Sequence, residues 1–280
     1  MGIRSSGQVV NALSIDVEDY FQVSALSPHF PSDRWDQQEC RVERNVEKIL
    51  GLLSEAGVSA TFFTLGWIAE RYPHLVKRIA SERHEVASHG CDHRRVSELD
   101  PTSFGKDITR SKALLEDLTG QRVLGYRAPS FSIGNQNSWA FDCLQEAGYR
   151  YSSSVYPIRH DHYGVPSAPR FPFETRAGLL EIPLSTIQWA RINFPAGGGG
   201  YFRLLPYVVS SWLIRSINRT DGRSTVFYFH PWELDPGQPI VRGLGTRTRV
   251  RHYVNLKRTE SRLRRLLADF EWNRMDQVFL

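Results

Sequence analysis

Acidic residues are crowded at the end of the first strand-like run. The stretch "NALSIDVEDYF", residues 11–21, joins apolar residues to Asp16, Glu18 and Asp19. Alternate residues of a strand share a face, so Asp16 and Glu18 are predicted to project together and Asp19 to point away. Like charges gather at a strand end when a cation or a proton relieves their repulsion. A turn exposed to solvent is the alternative interpretation.

Two histidines follow another apolar run. In "SHGCDH", residues 88–93, His89 and His93 are four residues apart, so both imidazoles can face the same way. Two imidazoles with one carboxylate and an open position are typical of catalytic zinc sites. Cys91 lies between them and is expected to point away, in a structural role. Together with the acidic cluster, the pair predicts a metal site.

Two more strand-like runs end in groups suited to acid–base chemistry. "GYRAPSF", residues 125–131, places Arg127 on a loop stiffened by Pro129, where it could clamp a carboxylate. His230 follows "TVFYF", and an imidazole with a pKa near 6.5 suits a general acid. A buried core histidine is the alternative for His230.

The four clusters each follow a strand-like run, and helical patterns lie between these runs. "CRVERNVEKILGLLSEAG" has apolar residues at helical spacing and ends in Gly57, while Asp100 and Pro101 begin a helix that Gly120 ends. Repeated strand–helix units predict a parallel sheet, either open or closed into a barrel. Functional residues gather at the carboxyl ends of such strands, so the clusters are predicted to form one site.

Composition is that of an ordinary globular protein. The 280 residues are 41% hydrophobic and 23% charged, and no apolar run approaches the length of a membrane span. The N-terminal residues lack the apolar segment of a secretory signal, and the three cysteines form no disulfide or metal pattern. A cytoplasmic location is therefore predicted.

The net charge of +5 is concentrated near the C-terminus, in residues 242–267. This segment is interpreted as a solvated helix face or as a site of weak association with an anionic surface such as the inner membrane. Aromatic residues are not interleaved with its cations, so nucleic acid is not a predicted partner.

The motifs "ALSIDVEDYF", "SHGCDH", "YRAPSF" and "YFHPW" occur in the order and spacing of the NodB-type polysaccharide deacetylases, and the chain resembles that family. "YPIRHDHYGVPSAPRFPFE", "AGGGGYFRLLPY" and "FHPWELDP" resemble the branch associated with bacterial exopolysaccharide loci that carry exosortase systems. The resemblance covers about residues 11–240. It implies an α/β fold, a distorted (β/α) barrel of about seven parallel strands. We expect a single domain over residues 1–280, with a basic helical C-terminal extension over 241–280.

The family implies a metal-dependent hydrolase that removes N-acetyl groups from amino-sugar residues of a polysaccharide or its precursor, here in exopolysaccharide biosynthesis. Asp16 matches the catalytic base, Arg127 the residue that orients it, and His230 the acid that protonates the leaving amine.

His89 and His93 match the metal ligands. Strand geometry favours Glu18 as the third ligand, with Asp19 as the alternative if the strand ends early. Zinc is the expected ion, with cobalt or nickel as alternatives. The aromatic side chains expected to form the sugar pocket are Tyr20, Phe131 and Trp232.

One departure from the family pattern concerns residues 152–154. Many members supply a carboxylate here to hold the acid histidine, whereas this chain has three serines. Either another acid holds His230 or this histidine is less basic.

The rival functions are a metal-dependent amidase for a non-sugar C–N bond and a catalytically silent glycan-binding barrel. The expected partner is an N-acetylated glycan or glycan precursor, and the sequence leaves the oligomeric state open.

Overall fold

The structure is a computed structural model that describes residues 9–161 and 163–280. Its main sheet contains nine strands. They are β1 (Val10–Val17), β2 (Thr61–Thr64), β3 (Glu85–Ser88), β4 (Gly125–Tyr126), β5 (Tyr151–Ser152), β6 (Phe173–Glu174), β7 (Leu180–Glu181), β10 (Val226–Phe229) and β11 (Glu271–Asn273). A separate two-stranded hairpin is formed by β8 (Thr186–Trp189) and β9 (Ile192–Pro195).

Seven strands lie side by side and parallel, in the order β10–β1–β2–β3–β4–β5–β7. Strand β6 adds an antiparallel edge to β7, and β11 pairs with the first residues of β1. Every residue of β1, β2, β3 and β10 is buried. Burial on both faces is typical of parallel sheets covered by helices, and explains why these strands read as nearly continuous apolar runs.

Ten α-helices occur among the described residues. They are α1 (Val42–Ala56), α2 (Gly66–Arg71), α3 (Pro73–Ser81), α4 (Pro101–Thr119), α5 (Trp139–Glu146), α6 (Gly199–Leu204), α7 (Tyr207–Ser216), α8 (Thr246–Tyr253), α9 (Leu256–Asp269) and α10 (Met275–Phe279).

The predicted helix boundaries are confirmed at three positions. Helix α1 ends at Gly57, which has a φ of 65°. Helix α4 begins after Asp100, whose side chain accepts a hydrogen bond from the backbone N–H of Ser103, and ends before Gly120.

The sheet curls into a half-barrel, and the chain after β7 returns toward β10. The backbone N–H of Tyr228 donates to the carbonyl oxygen of Gly197, and Ser185 Oγ accepts a hydrogen bond from the N–H of Val226. The α/β barrel expected from the sequence is therefore confirmed.

The C-terminal residues contribute more than a helical extension. Helices α8 and α9 are followed by β11, which pairs with β1, and by α10, which packs against β1. The end of the chain thus lies against the first strand, and Met275 is fully buried. Among the described residues, no helix is long and apolar enough to cross a bilayer.

Candidate active site

Glu18, His89 and His93 meet at the carboxyl ends of β1 and β3. Their ligand atoms all lie within 4.8 Å of one another, and Oε2 of Glu18 is 2.7 Å from Nε2 of His93. The backbone of Gly90 and His93 has positive φ angles of 76° and 52°, so the loop after β3 turns sharply and brings both imidazoles to one side. The sequence-predicted metal residues are therefore adjacent.

The donor atoms of this cluster fit a divalent cation. The ring Nδ1 of His89 lies 2.7 Å from the carbonyl oxygen of Arg127. A carbonyl only accepts, so Nδ1 carries the proton and Nε2 keeps its lone pair for a metal. Glu18 Oε2 is buried and lies beside Nε2 of His93, whereas Oε1 accepts a hydrogen bond from the indole N–H of Trp232 at 3.1 Å. A buried carboxylate oxygen beside two imidazoles is a suitable ligand set for zinc.

The protonation states also suit metal binding. Burial lowers the pKa of His89 to about 4, so its imidazole is neutral at neutral pH. Burial alone would raise the pKa of Glu18, but the neighbouring imidazoles of His93, His230 and His89 outweigh this effect and lower it to about 2. Metal ligands bind as neutral imidazole and ionised carboxylate, which are the forms of His89 and Glu18 at neutral pH.

Asp16 projects from β1 on the same side as Glu18 and pairs with Arg127. The guanidinium Nη1 lies 2.6 Å from Oδ1 of Asp16, and both side chains are almost completely buried. The second oxygen, Oδ2, is 3.9 Å from Nε2 of His230. One carboxylate oxygen is thus held by the arginine while the other faces the space between the histidines.

Arg127 is held on every side. Its Nε donates to the carbonyl oxygen of Ser153 and its Nη2 to Ser153 Oγ, while Nη1 also donates to Ser14 Oγ. The guanidinium lies 4.1 Å from the centre of the Phe63 ring. Ser153, one of the three serines at residues 152–154, therefore supports Arg127 and, through it, Asp16.

Glu233 is the acid that holds His230, and sequence reasoning did not identify it. Nδ1 of His230 lies 2.7 Å from Glu233 Oε1. Oε2 of Glu233 accepts a hydrogen bond of 2.6 Å from Nε of Arg203, which is also buried. The arginine donates further to the carbonyl oxygens of Arg251 and His252. A His–Glu–Arg series thus leads from the site into α6 and α8.

The pKa of His230 differs from the sequence expectation of a value near 6.5. Burial alone would lower it, but the carboxylates of Glu18, Glu233 and Asp16 outweigh burial and raise it to about 9. A cation on Glu18 would offset that residue's share, whereas Glu233 would still hold the imidazole in its protonated form. Burial would raise the pKa of Glu233, but Arg203 and His230 lower it to about 2.

A cavity of about 320 Å³ opens onto these groups. Phe131 and Trp232, two of the expected pocket residues, lie in its wall together with Tyr163, Tyr201 and Tyr228. The Trp232 ring is stacked between His230 and His252, at centroid distances of 5.2 and 4.4 Å.

The expectation that Tyr20 forms part of this pocket is corrected by the structure. Tyr20 is 2% exposed and packs edge-on against Phe21 and Phe30 in the core. The chain turns into a short 3-10 helix, Tyr20–Gln22, directly after β1. This turn carries the tyrosine away from the strand end.

Asp19 and Cys91 also lie outside the ligand cluster. The carboxylate of Asp19 accepts hydrogen bonds from the backbone N–H groups of Tyr20, Arg41 and Val42, and so joins the strand end to the start of α1. The thiol of Cys91 points to the carbonyl oxygen of Asp107. Glu18 is therefore the carboxylate that the structure places beside the two histidines.

Of the two missed residues, Glu233 has a weak sequence signal and Arg203 has none. Glu233 stands three positions after His230 in "HPWE", a spacing at which a side chain can bond back to the preceding backbone N–H, as it does here at 3.1 Å. Arg203 lies in "YFRLL" without a local signal, because its contact with Glu233 depends on how α6 packs against the 3-10 helix Pro231–Leu234.

Two family models match the chain. Residues 34–152 match the model described as "Polysaccharide deacetylase", and residues 153–280 match "Domain of unknown function (DUF3473)". His89, His93 and Arg127 fall within the first match. Asp16 and Glu18 precede it, and His230 falls within the second.

Curated relatives align over about a third of the chain. A peptidoglycan-N-acetylglucosamine deacetylase from Bacillus cereus is 36% identical over 94 residues, which are 33% of this chain and 34% of that protein. A chitooligosaccharide deacetylase from Bradyrhizobium is 34% identical over 89 residues, which are 32% of this chain and 41% of that protein. The chain thus spans well under two thirds of the length of these relatives.

Solved structures share the fold over almost the whole chain. A Mycobacterium smegmatis protein provisionally described as a polysaccharide deacetylase has a TM-score of 0.66, with 22% identity over 99% of this chain and 91% of its own. A pseudoenzyme of the CE4 family from Bacillus anthracis has a TM-score of 0.51, with 12% identity over 97% of this chain and 65% of its own. At these identities the likeness shows the fold alone.

One sheet carries strands from both matched segments, since β4 pairs with β5 and β5 with β7. The segment that matches the polysaccharide deacetylase model (residues 34–152) and the segment that matches the DUF3473 model (residues 153–280) therefore build one sheet together.

Proposed function

We propose that this protein is a metal-dependent hydrolase that removes N-acetyl groups from amino-sugar residues of a polysaccharide or its biosynthetic precursor. The observation that carries the proposal is the convergence of three groups on one cavity: the Glu18–His89–His93 cluster, the Asp16–Arg127 pair and the His230–Glu233 pair. The names of the curated relatives, which are deacetylases of peptidoglycan and chitooligosaccharides, support the same substrate class.

Glu18, His89 and His93 would hold the cation, most suitably zinc, with cobalt or nickel as alternatives. When bound, a divalent cation supplies Lewis acidity and lowers the pKa of a water molecule toward neutrality. The remaining steps belong to side chains of the protein.

Asp16 acts as the general base, because its free oxygen Oδ2 faces the site while Arg127 fixes the other oxygen and balances the charge. It accepts the proton of the water that attacks the acetamide carbonyl. His230 acts as the general acid, because its Nε2 faces Asp16 and Glu18 while its Nδ1 is occupied by Glu233. It donates the proton from Nε2 to the amine as the C–N bond breaks.

The apolar wall contributes by excluding water and shaping the pocket. Phe131 and Trp232 present ring surfaces to the cavity, which suits packing against an acetyl methyl group and a sugar ring. Because Trp232 also donates to Glu18, its indole links the pocket wall to the expected metal ligand.

We also propose that the reaction serves exopolysaccharide biosynthesis in the cytoplasm. The family branch suggested by the motifs supports the pathway. The cysteines Cys40, Cys91 and Cys143 are free thiols, which fits a reducing compartment.

The direct test is acetate release by the purified full-length chain from N-acetylated amino-sugar oligomers and from lipid-linked or nucleotide N-acetyl sugars. We expect release that a chelator abolishes and zinc or cobalt restores. Asp16→Asn should lower turnover about 10²- to 10⁴-fold, the usual contribution of a positioned proton-transfer group. Bound metal should remain, because the three ligands are unchanged. Metal-loaded protein that binds glycans without releasing acetate would instead show a glycan-binding barrel.

A second experiment distinguishes the role of Asp16 as general base from the role of His230 as general acid. An N-acetylated substrate with a better leaving group than a sugar amine should restore His230→Ala far more than Asp16→Asn, since only the acid serves the leaving group. Equal restoration of both variants, or metal loss in Asp16→Asn, would contradict the assigned roles.

A further inference from the structure

Exposed apolar side chains are concentrated in one part of the chain. Of the ten large hydrophobic residues exposed among those the structure describes, nine lie between residues 189 and 250. The most exposed are Trp189 at 74%, Val208 at 69%, Ile240 at 68% and Ile192 at 59%. Scattered exposed apolar residues are normal, but a concentration of this kind marks an interaction surface.

The same region carries an unbalanced positive charge. Residues 186–220 and 236–259 contain no aspartate or glutamate, whereas they contain four and six lysines or arginines. Some of these cations are neutralised by acids from other segments, since Arg247 and Arg251 pair with Asp161. Arg249, Lys257 and Arg258 form no ion pair with the described residues and remain available for an anionic partner.

A series of neighbouring contacts links the apolar and basic residues. Ile187 of the β8–β9 hairpin and Leu205 pack in one cluster with Leu213 of α7, so the hairpin lies against this helix. Leu204 and Val250 line the same active-site cavity, which joins the ends of α6 and α8.

Beyond α8, Ile240 lines a groove of about 610 Å³ together with Arg249, Lys257 and Arg258. We call the surface formed by the hairpin, the exposed sides of α7 and α8, and this groove the basic apolar face.

The tip of the β8–β9 hairpin has residue types that are typical of membrane-interface segments. Trp189 and Ile192 are opposite each other in the antiparallel register, and both project from the tip with 74% and 59% exposure. The two residues of the turn, Ala190 and Arg191, have positive φ angles of 47° and 64°. Tryptophan beside arginine is a combination that favours the boundary between lipid headgroups and acyl chains.

We propose that the basic apolar face docks on an anionic phospholipid bilayer, with the mouth of the active-site cavity turned toward the membrane. Val250 and Arg251 of α8 belong both to the cavity wall and to this face, so docking brings the cavity to the lipid surface. A second copy of the chain is disfavoured as the occupant, because pairing the face with itself would bring like charges together. Protein interfaces also exclude charge from their centres, whereas cations lie throughout this face.

The test is flotation of the metal-loaded full-length protein with vesicles of phosphatidylcholine containing 30% phosphatidylglycerol, compared with pure phosphatidylcholine. We expect binding to the anionic vesicles at least tenfold tighter and weakened by salt. Trp189→Ser with Ile192→Ser, and separately Arg249→Glu with Lys257→Glu, should each weaken binding at least tenfold. Matched controls that alter similar chemistry elsewhere are Leu280→Ser and Lys77→Glu with Lys106→Glu, which should stay within twofold.

Circular dichroism melting curves would verify that each variant is folded, and analytical ultracentrifugation would give the oligomeric state. Failure of the folded wild type to bind the anionic vesicles would overturn the proposal, as would equal binding by the face variants and the controls. Self-association that the hairpin variant alone abolishes would identify a second copy as the occupant and also overturn it. None of these readouts depends on deacetylase activity.

Discussion

Arg127 and Asp16 form an ion pair that is sealed from solvent, with 2.6 Å between Nη1 and Oδ1. Arg127 is completely buried, and its remaining donors reach Ser14 and Ser153. An arginine suits this position because its planar group supplies several donors in fixed directions, which a lysine cannot do. The pair therefore fixes the direction of Asp16 and neutralises its charge.

Replacing Arg127 should show separately that it fixes the direction of Asp16 and that it neutralises the charge of Asp16. Arg127→Met leaves a buried carboxylate without its partner, so we expect a loss of about 3–5 kcal/mol in the free energy of unfolding. Arg127→Lys keeps the charge and should lose less stability, but turnover should still fall because Asp16 is no longer held at one angle. Urea unfolding and acetate release measure the two quantities. An Arg127→Met protein as stable as the wild type would contradict this account.

Metal binding should depend on His89. We expect one divalent ion per wild-type chain by elemental analysis and less than a tenth of that in His89→Ala, because the cluster then lacks one of three ligands. The fold should survive, since the large apolar core lies on the other sides of the strands. Cys91→Ser is the matched control, because Cys91 lies between the histidines but points to Asp107. Normal metal content in His89→Ala would exclude the site.

The pH dependence of the deacetylation rate should show how Glu233 controls the protonation of His230. A general acid works while protonated, so the rate falls as pH rises through the pKa of His230, which Glu233 helps to hold above its usual value. Removing the charge in Glu233→Gln lowers that pKa, so the alkaline limb should move to lower pH by about 1–3 units. Rate profiles of the metal-loaded enzymes measure this shift.

The shift of the alkaline limb must be separated from a loss of protein stability, because Glu233→Gln also leaves the buried Arg203 without its partner. The double variant Arg203→Met with Glu233→Gln removes both charges and should recover stability, while its alkaline limb stays displaced. An unchanged limb in both variants would show that Glu233 does not control the protonation of His230.

The closure of the half-barrel should depend on Gly198. Its φ is 106°, and a Cβ at this position would overlap the carbonyl oxygen of Tyr228 in β10. Gly198→Ala should therefore cost at least about 1–3 kcal/mol of unfolding free energy. Gly51 is the matched control, because it is exposed on α1 with nothing within 4 Å of an added Cβ. Gly51→Ala should raise stability by about 0.5–1 kcal/mol in thermal or urea unfolding. Equal effects of the two substitutions would contradict the close approach of residue 198 to β10.

The strand ends were predictable because their signals are local. Two-residue periodicity places Asp16 and Glu18 on one face of β1, and the helix ends at Gly57 and Gly120 follow from glycine's access to positive φ. The coincidence of polar residues at four strand ends predicts a shared site without any knowledge of distances.

The remaining features depend on packing between distant segments. Tyr20 follows a strand end as Trp232 does, but only the turn after β1 decides that it enters the core. Arg203 reaches Glu233 across 30 residues, and no periodic pattern records that contact. The exposure of apolar residues on the β8–β9 hairpin could not be predicted either, because alternating apolar residues in a short strand are ordinarily buried.

The pairing of β1 with β10 has a consequence for truncated forms of the chain. These strands belong to opposite ends of the chain, and they bring Asp16 and His230 to one cavity. A gene fragment ending at residue 152 would encode the base and the metal ligands but leave β1 without its β10 neighbour and β5 without β7. Neither segment of this chain is therefore expected to be active when it is expressed without the other.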